Sequence, residues 1–337
     1  MKDHKERYSN AFAATMSGIT DLFRKQKNRL ALKEEIDLAD KNILITGASS
    51  GLGFESAVQL ARRGARVWMA CRSGIPEKGE RVRERSGNHH VEMLPVDLSD
   101  MESIIRLADS MKELSLKIDV LICNAAVVPS ASRKTRQGLE EMFMVNYLAK
   151  YLFVRLLLEY DLINLGADTV PRILFISSES HRNQKSFDWE GFGRFREYSM
   201  GKSVELYGYY KLLMTTFTNE LSRRLNPSAH TRCSVFALCP GPVNTNIARE
   251  APFIFKPLLK LVFTIFFKSP AQAVEPVLYF ACSPEVEGNA LDYLFRMSRK
   301  EMDPKATDEQ NGERLWQYSE ALLKSHGIVF RNSKNPC

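Results

Sequence analysis

The sequence predicts an α/β chain built on a doubly wound parallel sheet. Short apolar runs rich in β-branched residues alternate with longer segments of helical periodicity. The run from Ile118 to Cys123 has almost no polar residue, as a strand covered on both faces requires. Gly47, Arg72, Asp97, Asn124, Ser178 and Gly241 each stand just after such a run. Parallel sheets of this class bind ligands beyond the carboxyl ends of their strands, near the point where strand order reverses. The shared location of these six residues therefore predicts one functional edge.

Taken in order, Lys41–Thr46 reads as the first strand, and helical patterning resumes at 51–63. Between them Gly47, Gly51 and Gly53 allow a tight turn and close approach of a ligand to the backbone. A strand, a glycine turn and a helix present free N–H groups to an anion, most often a phosphate. Strands follow at 65–70, 91–96 and 118–123, with helices at 76–86 and 101–115 between them. Residues 137–165 read as one or two long helices, 170–177 as a fifth strand, and 204–225 as a further helix. A sixth strand is expected at 232–238, a helix at 270–281, a last strand at 291–296 and a terminal amphipathic helix at 308–325. Right-handed crossovers connect elements in this pattern.

Length and composition exclude several classes. A chain of 337 residues with 44% hydrophobic and 26% charged content can bury one large core. Its net charge of +7 is spread among acids rather than gathered in a patch, so no nucleic-acid module is expected. Neither the six cysteines nor the six histidines show metal-ligand spacing. Cys71, Cys123, Cys233 and Cys239 lie in or beside strands and read as small buried hydrophobes in a reducing, cytoplasmic setting. The first forty residues contain no apolar core of a signal peptide, so no N-terminal membrane anchor is expected. Residues 16–39 could form amphipathic helices, either packed on the domain or lying on a membrane surface.

Three groups carry the chemistry. No acid lies between Val67 and Arg72, and an arginine here suits a 2′-phosphate on an adenosine ribose; the alternative is a surface cation. Asp97, with Leu98, suits an adenine, although Asp97 or Ser99 could instead cap the next helix. Tyr207 and Lys211 are one turn apart on one helix face. An ammonium beside a phenol stabilises phenolate, which makes Tyr207 a candidate general acid or base for a carbonyl–alcohol pair. Ser178 could hydrogen-bond the same oxygen, or cap a turn. Tyr209 and Tyr210 are rivals that lack the four-residue relation to Lys211.

On these residues the chain resembles the short-chain dehydrogenase/reductase family over roughly residues 40–300. Thr46-Gly47-Ala48-Ser49-Ser50-Gly51-Leu52-Gly53 is similar to the family's cofactor turn, and Asn124-Ala125-Ala126 to its Asn-Ala-Gly, with Ala126 in place of glycine. The resemblance implies a Rossmann fold and direct hydride transfer without a metal, using NADP(H) by preference over NAD(H). It implies a catalytic tetrad of Asn146, Ser178, Tyr207 and Lys211, with Asn146 holding a relay water. Cofactor contacts would come from Gly47, Ser49, Ser50, Gly51, Leu52, Gly53, Arg72, Asp97, Leu98, Asn124, Ala125, Tyr207, Lys211, Pro240, Gly241, Val243 and Thr245.

Ala70-Cys71-Arg72, the run from Glu220 to Leu225, and Leu315-Trp316 with Ser319 resemble the branch of retinol dehydrogenase-like and lipid carbonyl reductases. That implies retinoid, steroid or other apolar carbonyl substrates. Lys150 departs from this branch, which more often has histidine there. The apolar stretch 251–267 reads as a substrate-covering helix, with core packing and peripheral membrane contact as alternatives. Phe187, Trp189 and Phe192 are the expected second wall. The division expected is an N-terminal extension (1–39), a reductase domain (40–300) and a C-terminal helical extension (301–337). The helix faces of 148–160 and 204–225 suit a homodimer contact. Rival readings are a noncatalytic nucleotide-binding scaffold, or a reductase of a C=C bond or of another small carbonyl compound such as a sugar.

Overall fold

The computed structural model describes residues 29–32, 36–241 and 269–331. Eight strands form one sheet in the order β3-β2-β1-β4-β5-β6-β7-β8. They are β1 (Asn42–Thr46), β2 (Arg66–Cys71), β3 (Val91–Pro95), β4 (Val120–Cys123), β5 (Arg172–Ile176), β6 (Ser234–Cys239), β7 (Leu291–Phe295) and β8 (Ser298–Arg299). All neighbours pair in parallel except β7 and β8. Strand order reverses between β1 and β4, so the glycine turn and Asn124 emerge side by side at the switch point. The short antiparallel β8 was not expected from the sequence. Two residues after a turn carry too little periodicity to show.

The longer helices are α1 (Gly51–Arg62), α2 (Glu77–Ser86), α3 (Met101–Glu113), α4 (Ala149–Glu159), α5 (Met200–Leu225), α6 (Glu275–Cys282) and α7 (Glu309–Ser325). Strand residues alternate between two cores, one on each sheet face. In β4, Leu121 and Cys123 face one core and Val120 and Ile122 the other. In β5, Ile173 and Phe175 oppose Leu174 and Ile176 in the same way. This two-sided burial explains why the strands read as continuous apolar runs. Five cysteines, including Cys282, are free thiols and buried, while His89 and His90 are exposed.

Several boundaries differ from expectation; β4 and β5, for instance, each begin two residues later, at Val120 and Arg172. Helical structure in the 137–165 region begins only at Glu141, because the Glu140 carboxylate accepts from the Phe143 N–H at 2.8 Å and caps it. Before α4 the chain makes a π turn, Met144–Leu148. α5 starts at Met200 rather than 204. Asp100, not Asp97 or Ser99, caps α3 by accepting from Glu102 N–H at 3.2 Å.

The apolar face expected to meet a second copy is covered by this chain's own C-terminal helix. Leu152 and Leu157 are fully buried in a core that includes Leu315, Trp316 and Leu323 of α7. Arg155, 1% exposed, lies 4.6 Å from the Trp316 ring and 4.3 Å from that of Phe330, and its Nη1 donates to Glu320 at 2.5 Å. Arg224 covers Trp316 at 4.2 Å. Ser319, on the same helix, hydrogen-bonds Tyr147 at 2.6 Å. Phe187, Trp189 and Phe192 pack against this core too, with Trp189 and Phe192 meeting Tyr318 at 5.3 and 5.7 Å. The rings of Trp189 and Phe192 therefore face α7, and Phe187 stacks on Trp189 at 4.7 Å. The N-terminal residues 1–28, the stretch 251–267, Val243 and Thr245 lie outside the described residues. Among the described residues no helix is long and apolar enough to cross a membrane, and no cluster suits a metal.

Replacing Trp316 by alanine removes a 2%-exposed ring that two guanidinium groups cover. A loss of about 3–5 kcal/mol is expected from the cavity alone. Equilibrium denaturation of W316A measures it, and a loss below about 1 kcal/mol would show that α7 is not part of the cooperative core.

Candidate active site

At the switch point, β1 ends in a turn built around glycine. Gly47 has φ of +68° and Gly51 of +58°, both left-handed. A Cβ on Gly53 would stand 2.4 Å from the Asn124 Nδ2 and 2.5 Å from the Gly47 carbonyl oxygen. Asn124 occupies that space for a reason: its Nδ2 donates to the Thr46 and Gly47 carbonyls at 3.1 and 3.0 Å. Its own N–H donates to Thr46 Oγ1 at 3.1 Å. The two loops that flank the switch point are thus one rigid unit.

This turn has the chemistry of an anion cradle. Ser50 sits at the N-cap of α1 without a side-chain capping bond, and the first turn holds no acid. The leading N–H groups therefore keep their donor capacity. The Gly47 N–H donates to the Ala70 carbonyl at 2.9 Å, which sets the end of β2, and with it Arg72, beside the turn. Arg72 is exposed and forms no ion pair among the described residues. At the end of β3, Asp97 Oδ1 accepts from Ser99 N–H at 2.9 Å and from its hydroxyl at 2.7 Å, which fixes the carboxylate beside the buried Leu98. Ala125 packs on Gly47, whose added Cβ would come 2.8 Å from the Ala125 Cα. The residues present therefore fit a phosphate-bearing dinucleotide, with Pro240 and the left-handed Gly241 (φ +82°) on the far side of the edge.

Ser178, Tyr207 and Lys211 meet at the ends of β5 and β6. Ser178 Oγ accepts from Ser180 Oγ at 2.9 Å and Ser180 N–H at 3.3 Å. With its lone pairs so used, its own proton is left to donate toward the Tyr207 phenol beside it. Lys211, 1% exposed, donates to the Ile176 carbonyl at 2.6 Å, with its Nζ 5.4 Å from the Tyr207 ring centroid. Gly208 lets these elements approach: its added Cβ would meet the Ser180 carbonyl oxygen at 2.8 Å. The rival tyrosines are committed elsewhere. Tyr209 OH binds the Asp188 backbone, accepting from its N–H at 3.1 Å, and Tyr210 faces Glu140.

The electrostatics differ from expectation. Burial, then the nearby Cys239 thiol, pushes the Tyr207 phenol well above its ordinary value, against the pull of Ser178. Burial, and then the charge of Lys150, lowers the affinity of Lys211 for its own proton. Asn146 is fully buried, and its amide is committed to Val127: Oδ1 accepts from the N–H and Nδ2 donates to the carbonyl, both at 2.8 Å. Its main-chain oxygen, which already accepts from Lys150 at 3.1 Å, is what remains for a water.

A model of the family described as short chain dehydrogenase matches residues 41–189. Human retinol dehydrogenase 14 is 35% identical over 301 residues, covering 84% of this chain and 86% of that protein. The chain belongs to the short-chain dehydrogenase family. A WW domain-containing oxidoreductase from Danio rerio is 34% identical over 297 residues, covering 86% of this chain and 69% of that one. An uncharacterised protein from Mycobacterium paratuberculosis superposes with a TM-score of 0.69 at 28% identity, covering 90% of this chain and all (100%) of the other. A short chain dehydrogenase from Escherichia coli CFT073 complexed with NADPH shares the fold at a TM-score of 0.60 and 20% identity, covering 79% of this chain and 100% of its own.

Ser180 and Gly208 escaped the sequence reading. A glycine inside a helix next to Tyr207 is the one signal that could have revealed the close approach. His181 also escaped. Fully buried, it shares a hydrogen bond of 2.7 Å between Nδ1 and the Ser178 carbonyl, and its Nε2 accepts from Asp303 N–H at 3.3 Å. The second bond requires the neutral ring with its proton on Nδ1.

Two predictions follow from this packing. Gly208→Ala pushes the Ser178–Ser180 segment away from α5, so it should keep the fold while turnover falls at least tenfold, an effect of about 1.4 kcal/mol. Circular dichroism with steady-state kinetics checks it, and unchanged turnover refutes it. Burial lowers the His181 pKa to about 4, so the unfolded chain binds the extra proton between its ordinary value and that one. Stability is therefore lost as pH falls from about 6.5 toward 4, by about 2 kcal/mol at pH 5. Denaturation of the wild type and of His181→Gln at pH 7 and 5 should show a flatter dependence in the variant.

Proposed function

We propose that the protein is an NADP(H)-dependent oxidoreductase that interconverts an apolar carbonyl compound and its alcohol, with Tyr207 as general acid and base. The observation that carries this reading is the Ser178–Tyr207–Lys211 group at the same sheet edge as an uncapped, acid-free glycine turn. When bound, the nicotinamide supplies the hydride donor or acceptor. Ser49, Ser50, Gly51, Leu52 and Gly53 would hold its pyrophosphate, and Arg72 its 2′-phosphate. Asp97 and Leu98 would hold the adenine, and Asn124, Ala125, Pro240 and Gly241 the nicotinamide side. Val243 and Thr245 extend that side in the sequence.

The substrate oxygen would lie between the Ser178 hydroxyl and the Tyr207 phenol. A phenol whose pKa is raised keeps its proton at neutral pH. In reduction it gives that proton to the carbonyl oxygen, which is the expected direction where NADPH is kept reduced. Retinol dehydrogenases 14 and 12 among the relatives support a lipid-like aldehyde or ketone, a retinoid or steroid included. The apolar stretch 251–267 agrees with that class. In this reading residues 40–300 are the reductase domain, 1–39 and 301–337 its extensions, and α7 completes its core.

Titration of nicotinamide fluorescence with NADPH and NADH tests the cofactor. NADPH should bind more tightly, and Arg72→Ala should weaken it about tenfold or more while leaving NADH unchanged. Tyr207→Phe should bind NADPH normally yet lose about 10²- to 10⁴-fold in carbonyl reduction. Folded protein that binds neither nucleotide would overturn the reading.

A further inference from the structure

A short 3-10 turn, Glu179–Asn183, follows Ser178 directly, and three of its residues reach β7 or the segment beyond it. The Glu179 carboxylate accepts from the Tyr293 hydroxyl at 2.7 Å and pairs with Lys300. Arg182 donates to that carboxylate at 3.2 Å and also to the Glu301 carbonyl. Between these two anchors lies His181, fully buried, its ring 5.6 Å from that of Tyr293 in an edge-on contact. His181 Nδ1 donates to the Ser178 carbonyl at 2.7 Å, and Nε2 accepts from the Asp303 N–H at 3.3 Å. The same Ser178 carbonyl accepts the His181 main-chain N–H at 3.1 Å. On its other side the turn meets α5, where Gln184 Nε2 donates to the Glu205 carbonyl at 3.0 Å.

An imidazole that served packing alone would need no particular partner. Here one partner is the main chain of Ser178 itself. Two bonds to one carbonyl fix the peptide plane that follows Ser178, and so the backbone that carries its hydroxyl. We propose that His181 is a positioning residue for Ser178, a bridge that sets the serine turn against the backbone at Asp303. The proposal rests on the reading of Ser178 as the group that hydrogen-bonds the substrate oxygen. A misplacement of about 1 Å in such a group can cost about a hundredfold in rate. Asp303 belongs to the C-terminal extension, which through His181 becomes part of the site.

The test uses two amides of different reach. In His181→Asn the amide reaches about as far as Nδ1 and can still donate to the Ser178 carbonyl, while the Asp303 N–H loses its partner. In His181→Gln the amide reaches about as far as Nε2, so the Asp303 bond can persist and the Ser178 bond is lost. In H181Q, kcat for carbonyl reduction should fall about tenfold or more, with KM changed less than about threefold. H181N should stay within about threefold of the wild-type kcat, although it leaves more empty space in the core. NADPH affinity should stay within about twofold of wild type in both, because the turn after β1 shares no partner with His181. A purely structural role predicts the opposite order, since asparagine fills the site less well. A folded H181Q with wild-type kcat overturns the proposal, and so does an H181N as slow as H181Q.

A second measurement reads the bridge in the wild-type protein. With ¹⁵N-labelled histidine, the His181 ring, assigned by its loss in either variant, should carry its proton on Nδ1 and none on Nε2 at pH 7. A proton on Nε2 removes the bond to Ser178 and overturns the proposal, even if H181Q fails to fold. Wild-type protein that shows the Nδ1 proton but reduces no carbonyl compound would instead sink the catalytic reading of Ser178, and leave the bridge as structure alone.

Discussion

The side chain of Asn124 holds the molecule's working edge together. It lies across the carbonyls of Thr46 and Gly47, in the space that the missing Cβ of Gly53 leaves open. The sheet brings β1 and β4 side by side, but backbone pairing ends with the strands. Beyond that point only side-chain bonds can set the relative placement of two loops. An amide is suited to this because it offers two donors in one plane, and both are used here. A rigid switch point is what allows an exposed, uncapped helix start to act as a fixed anion site rather than a frayed end.

Around that edge the protein buries charge that a structural core would avoid. Lys150 and Lys211 are both nearly inaccessible, and the polar partners of each are backbone carbonyls. Such burial costs stability and shifts proton affinities. Groups so perturbed gather where chemistry is done, although ion-pair networks perturb them as well. The contrast with Arg155 is instructive. That guanidinium is as deeply buried, but it has Glu320, the Tyr151 hydroxyl and two aromatic faces to receive it. One buried cation is fully compensated and serves packing; the two lysines are not.

Much of the frame was legible in the sequence because it follows from periodicity. Strand runs such as Ile118–Cys123 and the spacing of Gly47, Gly51 and Gly53 report local rules that tertiary contacts do not override. The pairing of Tyr207 with Lys211 was legible for the same reason, since one helical turn separates them. What stayed hidden depends on contacts between distant segments. An apolar face along 148–160 says that it will be covered, but not by what, and the chain's own α7 fills the role offered to a second copy. The rings of Phe187, Trp189 and Phe192 were equally ambiguous until Tyr318 appeared beside two of them. The π turn has no sequence period of its own.

The sign of the Tyr207 shift shows how far a spacing argument reaches. Four residues on a helix place an ammonium near a phenol, and a charged ammonium there would favour phenolate. Whether that ammonium is charged depends on what else surrounds it. Here burial, and then the charge of Lys150, lowers the proton affinity of Lys211, so the helix that sets the pair's geometry does not alone set its charge. Geometry comes from one helix and electrostatics from three elements packed around it. The proton affinity at Tyr207 is therefore a property of the packed edge as a whole.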